Sequence, residues 1–510
     1  MKIFFVASEV VPFAKTGGLA DVAGALPKAL QSQGHEVKVF MPRYKKVDKK
    51  KFGLKHVFSG FKVKVGDTEE SFDILEAKVP GSKAQAYFVE HDRYFASRDE
   101  LYNVEGKDYE DNLERFTLFC KAAIEFLRKS EWRPDVIHCN DWQSALLISY
   151  VKVMFKDDPF FAKTATVYSV HNLGYQGTFP KEKLWLTGFK WDQFLPDRLE
   201  FWDKISLTKA GFVYADVINT VSETYAKEIQ SSEYGHGLDG LMRARSSDLY
   251  GIVNGIDYEI WDPEIDPHLP NNFTPKNLKG KTECKLSLQK EVGLPVAKVI
   301  PLIGIISRLA DQKGFDILAA DIERIMHSKC QMVILGLGEP KYHELLKEMR
   351  RKYPTHIAVT FGFDDPLAHR IYAGSDMFMM PSRYEPCGLG QLISFKYGTV
   401  PVVRATGGLA DTVSEFDKKT GRGDGFTFEE YSSQALHAAV RRGIEVYGMD
   451  DIWHKLRTKV MGHDYSWNTS AKKYVSLYKK ALAKIGVASS QRAGQRKQMD
   501  TSSFTTMQIH

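Results

Sequence analysis

Lys15, Arg308 and Lys313 are the cations of this chain best spaced to do chemistry. Each stands where an apolar, strand-like run gives way to a helix-like pattern. Arg308 and Lys313 are five positions apart across one turn, a workable spacing for two cations on a single diphosphate. The plain alternative is solvated surface charge, the usual state of Lys and Arg. A second set, Asp141, His171 and Glu385, also falls at the ends of strand-like runs. Sugar hydroxyls need such acceptors, and a developing oxocarbenium ion needs negative charge close by. A strand-end Asp or His can equally be a helix cap or a satisfied core group. Around Glu385, Pro386 and Gly388 bracket Cys387 and force an irregular turn, with the carboxylate at its lip. A nucleophilic role for Cys387 is rejected: the sequence places no base beside it, and a small buried thiol is the commoner state.

Two identical hexapeptides frame these residues: Thr16-Gly17-Gly18-Leu19-Ala20-Asp21 and Thr406-Gly407-Gly408-Leu409-Ala410-Asp411. Each follows an apolar run and opens a helix-like segment. Paired glycines at a helix start leave backbone N–H groups uncovered beside a partial positive charge, a place for an anion such as phosphate. Singly, each reads as an ordinary strand-to-helix turn. As a pair, they point to a functional cleft between two similar domains. Lys15 precedes the first copy, and Arg308, Lys313 and Glu385 share the half that carries the second.

The elements that position these residues follow an alternating pattern. Strand-like runs at 2–8 and 36–41 enclose a helix-like stretch that runs to Gln33, with Gly34 as its C′ residue, giving a βαβ unit. A β-rich excursion is expected at about 57–90, and a helix from about Tyr109 to Lys129. Strands at 135–139, 166–170 and 216–220 end in polar residues, where open α/β sheets place ligand contacts. Asn254 to Asp257 and the proline-bearing stretch 262–275 read as a domain junction. A second series follows at 300–306, 331–335, 357–361, 376–380 and 400–403, with helical patterns at 430–460 and a last amphipathic helix at 467–484. The expectation is an α/β protein of two doubly wound parallel-sheet domains.

Composition bounds the function. At 510 residues the chain is too long for one core of typical size. Its 43% hydrophobic and 26% charged content is ordinary for a globular protein. The net charge of +6, from 70 basic and 64 acidic side chains, does not argue for nucleic acid. No run of about twenty apolar residues suggests a membrane span, and no targeting peptide is read before the first strand. Cys120, Cys139, Cys284, Cys330 and Cys387 have no metal-ligand spacing and suggest a reducing compartment.

Seven motifs carry a family resemblance: KTGGLADVAGALP (15–27), NDWQ (140–143), HNLGYQGTF (171–179), NGID (254–257), SRLADQKGFD (307–316), PSRYEPCGLGQL (381–392) and TGGLADTV (406–413). In this order, over about residues 1–485, they resemble the bacterial glycogen synthases and plant-type starch synthases, retaining glucosyltransferases of GT-B fold. The resemblance implies two Rossmann-like domains facing a central cleft. The glucan-side domain is expected at 1–253 and the nucleotide-sugar domain at 254–460. A terminal helix at 461–485 should cross back to the first domain, and a disordered tail is read at 486–510.

The resemblance also implies roles. Lys15, Gly17 and Gly18 position the donor diphosphate and glucan end, and Asp21 contacts the nucleotide ribose. Arg308 and Lys313 hold the diphosphate, and Glu385 lies at the donor sugar within a turn continued by Cys387, Gly388 and Leu389. His171 contacts the donor glucose; Asp141, Trp142 and Asn254 lie at the sugar; Tyr102 links donor and acceptor sites. The backbone from Thr406 through Gly407 and Gly408 to Leu409 faces the diphosphate, and Phe363 stacks on the base where a Tyr is usual. The implied reaction moves glucose from ADP-glucose to the non-reducing end of an α-1,4-glucan with retention of configuration. No cofactor or metal is implied. The expected partners are a nucleotide sugar and a glucan, not nucleic acid or membrane, for a cytoplasmic monomer or small homo-oligomer (plastid stroma or starch granule if from a plant or alga). A sucrose- or trehalose-phosphate-synthase-like enzyme and a non-catalytic glucan-binding scaffold are the alternatives.

Overall fold

The first strand, Lys2–Val6 (KIFFV), buries four of its five residues, as a strand covered on both faces must. The computed structural model describes residues 1–104 and 106–486. The tail expected at 486–510 lies, Gly486 apart, outside the described residues. The chain divides into two units. One holds Met1–Thr220, Ala226–Ile252 and the chain from Ser470; the other holds Val221–Tyr225 and Val253–Thr469.

The N-terminal unit is built on a nine-stranded sheet. Its order is Leu249–Gly251, Val217–Thr220, Ala165–Val170, Val136–Asn140, Lys2–Val6, Glu36–Pro42, Gln85–Glu90, Thr68–Lys78 and Lys55–Val65. The first seven are parallel, and the last two add an antiparallel edge. Numbered along the chain, the parallel strands lie 7-6-5-4-1-2-3, so the winding reverses between Lys2–Val6 and Val136–Asn140. Phe40 packs in the core with Phe4 tilted against it at 5.3 Å and Phe119 stacked on it at 5.5 Å between ring centroids. A small antiparallel sheet of Thr178–Pro180, Lys204–Ser206 and Glu200–Phe201 has no counterpart in the sequence reading.

Residues 467–486 form the last described helix. Its Tyr474 and Tyr478 are fully buried in the N-terminal unit. The Tyr478 hydroxyl lies 2.9 Å from His138 Nδ1, and the Tyr474 hydroxyl 3.2 Å from the Asn219 amide. Burial pushes the His138 imidazole down to about 3, so it packs as a neutral ring.

The C-terminal unit holds six parallel strands in the order Ile357–Phe361, Gln331–Gly336, Leu302–Ile306, Met377–Met380, Val400–Arg404 and Phe426–Phe428. In chain numbering this is 3-2-1-4-5-6, the doubly wound dinucleotide-binding order, reversing between Leu302–Ile306 and Met377–Met380. The helix Lys279–Glu291 escapes the sequence reading because its sequence, KGKTECKLSLQKE, offers only a thin apolar face. Leu288 and the Cys284 carbonyl close directly on Gly374, where a Cβ would come within 2.9 Å. Among the described residues no helix is long and apolar enough to cross a membrane, and all five cysteines are buried free thiols.

Candidate active site

Open parallel sheets bind ligands beyond the carboxyl ends of the strands where the winding reverses. In the C-terminal unit that rule selects two loops, the one after Leu302–Ile306 and the one after Met377–Met380. The first carries Arg308 and Lys313, the second Glu385 and Cys387. Gly314 lets them meet: its φ is +79°, and a Cβ there would stand 2.0 Å from the Pro381 carbonyl oxygen. The Arg383 N–H then donates to the Gln312 carbonyl at 2.9 Å. Across this junction Lys313 Nζ donates to Glu385 Oε2 at 2.5 Å, and Ser382 Oγ donates to the same oxygen at 3.1 Å. Glu385 is buried and Lys313 half-buried, while Arg308 is exposed and donates to Gln312 Oε1 at 2.9 Å.

The second hexapeptide packs against this turn. Gly407, at φ +46°, faces the Glu385 carbonyl, and Gly408 faces the Cys387 carbonyl; a Cβ would come within 2.0 and 2.1 Å respectively. The Gly408 N–H donates to the carbonyls of Glu385 and Pro386, each at 3.1 Å. Gly388, at φ +72°, is pinned by Gln391, whose Nε2 donates to the Cys387 and Gly388 carbonyls. Leu389 leads into the helix Gly390–Lys396. Burial pushes the Cys387 thiol up to about 12, so it is no thiolate at neutral pH, in keeping with its rejection as a nucleophile. Asn254 is buried, and its Oδ1 has no hydrogen-bond partner among the described residues. Phe363, at the start of the helix Asp365–Gly374, is 89% exposed. Such a ring is a costly surface unless something stacks on it.

In the N-terminal unit the same rule selects the loop after Lys2–Val6 and the end of Val136–Asn140. Asp141 follows that strand at φ +54° and occupies the N-cap position of the helix Trp142–Ser149, with its side chain turned to other partners. Its Oδ1 accepts the His171 N–H at 2.7 Å. Burial pushes the Asp141 carboxyl up to about 7, the His171 N–H opposes that shift, and the Glu9 charge adds to it. Burial pushes the His171 imidazole down to about 4, so the ring is neutral. Asn140 Nδ2 donates to the Val6 carbonyl at 3.1 Å, which turns its Oδ1 toward His171 Nε2 at 3.0 Å. Nε2 therefore carries the proton, and Nδ1 is left as an acceptor for a hydroxyl.

Glu9, which lies just past the strand-like run at 2–8 and is given no role in the sequence analysis, is the centre of this unit's glycine turn. Its buried carboxylate accepts the N–H of Thr16 at 2.5 Å, the Thr16 hydroxyl at 2.6 Å and the N–H of Gly17 at 3.0 Å. The Tyr102 hydroxyl donates to it at 2.8 Å. Burial, and then the Glu9 charge, hold the Tyr102 phenol well above its ordinary range. The expectation that both hexapeptides leave their N–H groups uncovered fails for Thr16, Gly17 and Gly408. In the first copy an internal carboxylate is the anion, and in the second a neighbouring carbonyl accepts. Lys15 pairs with Asp21 at 2.8 Å on the exposed rim. Trp142 is packed inside, its ring edge-on to Phe116 at 4.9 Å and closed over by Gly177. The one sequence signal for Glu9 is an acidic residue just past an apolar strand, seven positions ahead of a glycine pair.

Two doubly wound parallel sheets, each with polar residues at its reversal point, are the pair of domains found in glycosyltransferases of the GT-B type, and comparison with known proteins assigns the chain to that class. Residues 2–244 match the family model described as starch synthase catalytic domain. Residues 294–456 match the one described as glycosyl transferases group 1. The chain is 47% identical over 498 residues to a glycogen synthase of Desulforudis audaxviator, covering 95% of this chain and 97% of that one. It is 47% identical over 491 residues to a glycogen synthase of Thermotoga maritima, covering 95% and 100%. Its structure resembles the catalytic domain of starch synthase IV from Arabidopsis thaliana, solved bound to ADP and acarbose. That match has a TM-score of 0.86 and 33% identity over 94% of this chain and 99% of the other. A sucrose-phosphate synthase from Thermosynechococcus elongatus, at 17% identity and a TM-score of 0.58, shares the fold alone. The chain belongs to the glycogen/starch synthase family of glycosyltransferases.

Proposed function

We propose that this glycosyltransferase moves glucose from ADP-glucose to the non-reducing end of an α-1,4-glucan, with retention of configuration and release of ADP. The observation that carries the reading is the Lys313–Glu385 contact, with Arg308 on the same loop, at the reversal point of the C-terminal sheet. Two cations on one short turn match a diphosphate leaving group, and a fixed carboxylate beside them matches a sugar that gains positive charge. ADP bound to the starch synthase IV relative supports adenine as the base. Exposed Phe363 is the proposed platform for that base. Asn254, with its unpartnered buried oxygen, suits a sugar hydroxyl, and the backbone from Thr406 to Leu409 is assigned to the diphosphate side. In the N-terminal unit, Lys15, Gly17, Gly18 and Asp21 are assigned to the donor, Asp141 and His171 to glucose hydroxyls, and Tyr102 to the acceptor.

The chemistry is a front-face displacement. The acceptor 4-hydroxyl attacks the anomeric carbon from the side on which the diphosphate departs, and the departing phosphate oxygen takes the hydroxyl proton. Arg308 and Lys313 neutralise the charge that develops there, so no metal is required in this scheme. The deciding experiment offers ADP-glucose and UDP-glucose separately, with a maltooligosaccharide primer and with fructose-6-phosphate. Primer extension from ADP-glucose is expected. Transfer only to fructose-6-phosphate, or equal use of both donors, would overturn the assignment.

A further inference from the structure

His369 is a buried imidazole with one nitrogen satisfied and one not. Its Nδ1 lies 2.7 Å from Asp266 Oδ2, a carboxylate also held by the Tyr397 hydroxyl at 2.5 Å and the His268 N–H at 2.9 Å. An acceptor-only carboxylate at that distance places the ring proton on Nδ1. In the neutral tautomer Nε2 is then the acceptor, and it is buried without a hydrogen-bond partner among the described residues. Leaving such an acceptor dry costs about 1–3 kcal/mol, so a partner is to be expected there.

Two further ligand types converge on the same ring. Asp365 lies one helical turn before His369, and Asp364 caps the helix by accepting the Leu367 N–H at 2.8 Å, which fixes the direction of that first turn. His268 comes from the loop that Asp266 ties down; its ring centroid is 4.7 Å from that of His369. One ligand atom from each of His268, Asp365 and His369 falls within 4.8 Å of the other two. Trp261 stacks on the His369 ring at 4.0 Å and 13°, which together with the Asp266 contact holds the imidazole in place.

We propose that His268, Asp365 and His369 form a binding site for a divalent cation of zinc type, with Asp266 as the carboxylate that orients His369. Two imidazoles and a carboxylate are a zinc-like donor set, and three protein ligands leave one coordination position for water. A carboxylate behind the ligating histidine is the usual device that fixes its tautomer and raises its basicity. Tetrahedral bonds of about 2.1 Å bring donors to about 3.4 Å of one another. Exposed Asp365 and half-buried His268 have the freedom to close that gap, while His369 is fixed. A bound ion would join the loop carrying His268 to the helix that begins two residues after Phe363.

The test uses full-length, tag-free, chelator-treated protein titrated with cobalt(II) by visible absorption and with zinc by calorimetry. One equivalent is expected to bind, with the visible band of a low-coordinate cobalt site. His268→Ala, at a half-buried position, and Asp365→Ala, at an exposed one, are each expected to weaken binding at least about tenfold without loss of fold. Zinc should raise the Tm of the unsubstituted protein and not that of His268→Ala. Absence of stoichiometric binding, or binding that survives both substitutions unchanged, overturns the site.

Discussion

Lys313 Nζ and Glu385 Oε2 lie 2.5 Å apart, although the two residues are 72 positions apart in the chain. The strand order brings them together, since their loops leave adjacent strands on either side of the winding reversal. In the proposed reaction the lysine meets the departing phosphate and the carboxylate meets the sugar, and their mutual contact holds both in place beforehand. Lys313→Ala and Glu385→Ala are each expected to lower kcat with ADP-glucose at least about a hundredfold, the scale of losing a placed electrostatic stabiliser. Steady-state kinetics on a maltooligosaccharide primer measures this, and near-normal turnover in either variant removes its assigned role.

Glu9 is the anion that the first glycine turn contains. Glu9→Ala leaves two backbone N–H groups and the Tyr102 hydroxyl without their acceptor. A loss of about 2–4 kcal/mol is expected from hydrogen bonds to a charged group, read as a lower denaturation midpoint of the N-terminal unit. Glu9→Gln keeps one oxygen and one neutral donor, so it should fall between the two. A midpoint unchanged in Glu9→Ala would mean that water replaces the carboxylate without cost.

The strands were legible because apolar runs ending in glycine, proline or polar pairs have few other solutions in an alternating chain. The runs at 331–335 and 357–361 became Gln331–Gly336 and Ile357–Phe361. Legibility failed where local sequence carries no period. The three strands of Thr178–Pro180, Glu200–Phe201 and Lys204–Ser206 have three residues or fewer each. It failed also where partners are distant. Tyr102 reads as an aromatic of interest, but nothing in its spacing links it to Glu9, 93 positions away. Trp142 stands between polar neighbours in NDWQ, yet close packing by Gly177 and Phe116 takes its ring inside.

Asp141 sets a pH dependence whose sign is fixed. Burial raises its carboxyl from the usual range to about 7, so the folded protein binds this proton more tightly than the unfolded chain does. The resulting stabilisation is complete below about pH 4 and is lost as pH rises through about 7. Asp141→Asn keeps an oxygen for the His171 N–H and removes the titration. The Tm of the unsubstituted protein relative to Asp141→Asn is therefore expected to fall between pH 5 and pH 8. A gap constant across that range would show the carboxyl ionised throughout.

The two hexapeptides are identical in sequence and opposite in their tolerance of a side chain. Gly17 has an extended backbone at φ −145°, and a Cβ there would meet nothing within 4 Å. Its counterpart Gly407 sits at φ +46° with the Glu385 carbonyl oxygen 2.0 Å from where a Cβ would be. An L-residue at 407 must both adopt a left-handed backbone and push back the turn that carries Glu385. Gly407→Ala is expected to cost more than about 2 kcal/mol and to lower kcat with it, because the displaced turn holds the carboxylate. Gly17→Ala is expected to change stability by less than about 1 kcal/mol. Thermal denaturation of the two variants side by side, with donor turnover measured on each, separates the cases. Equal losses in both would mean that the repeat, rather than what packs against each copy, sets the need for glycine.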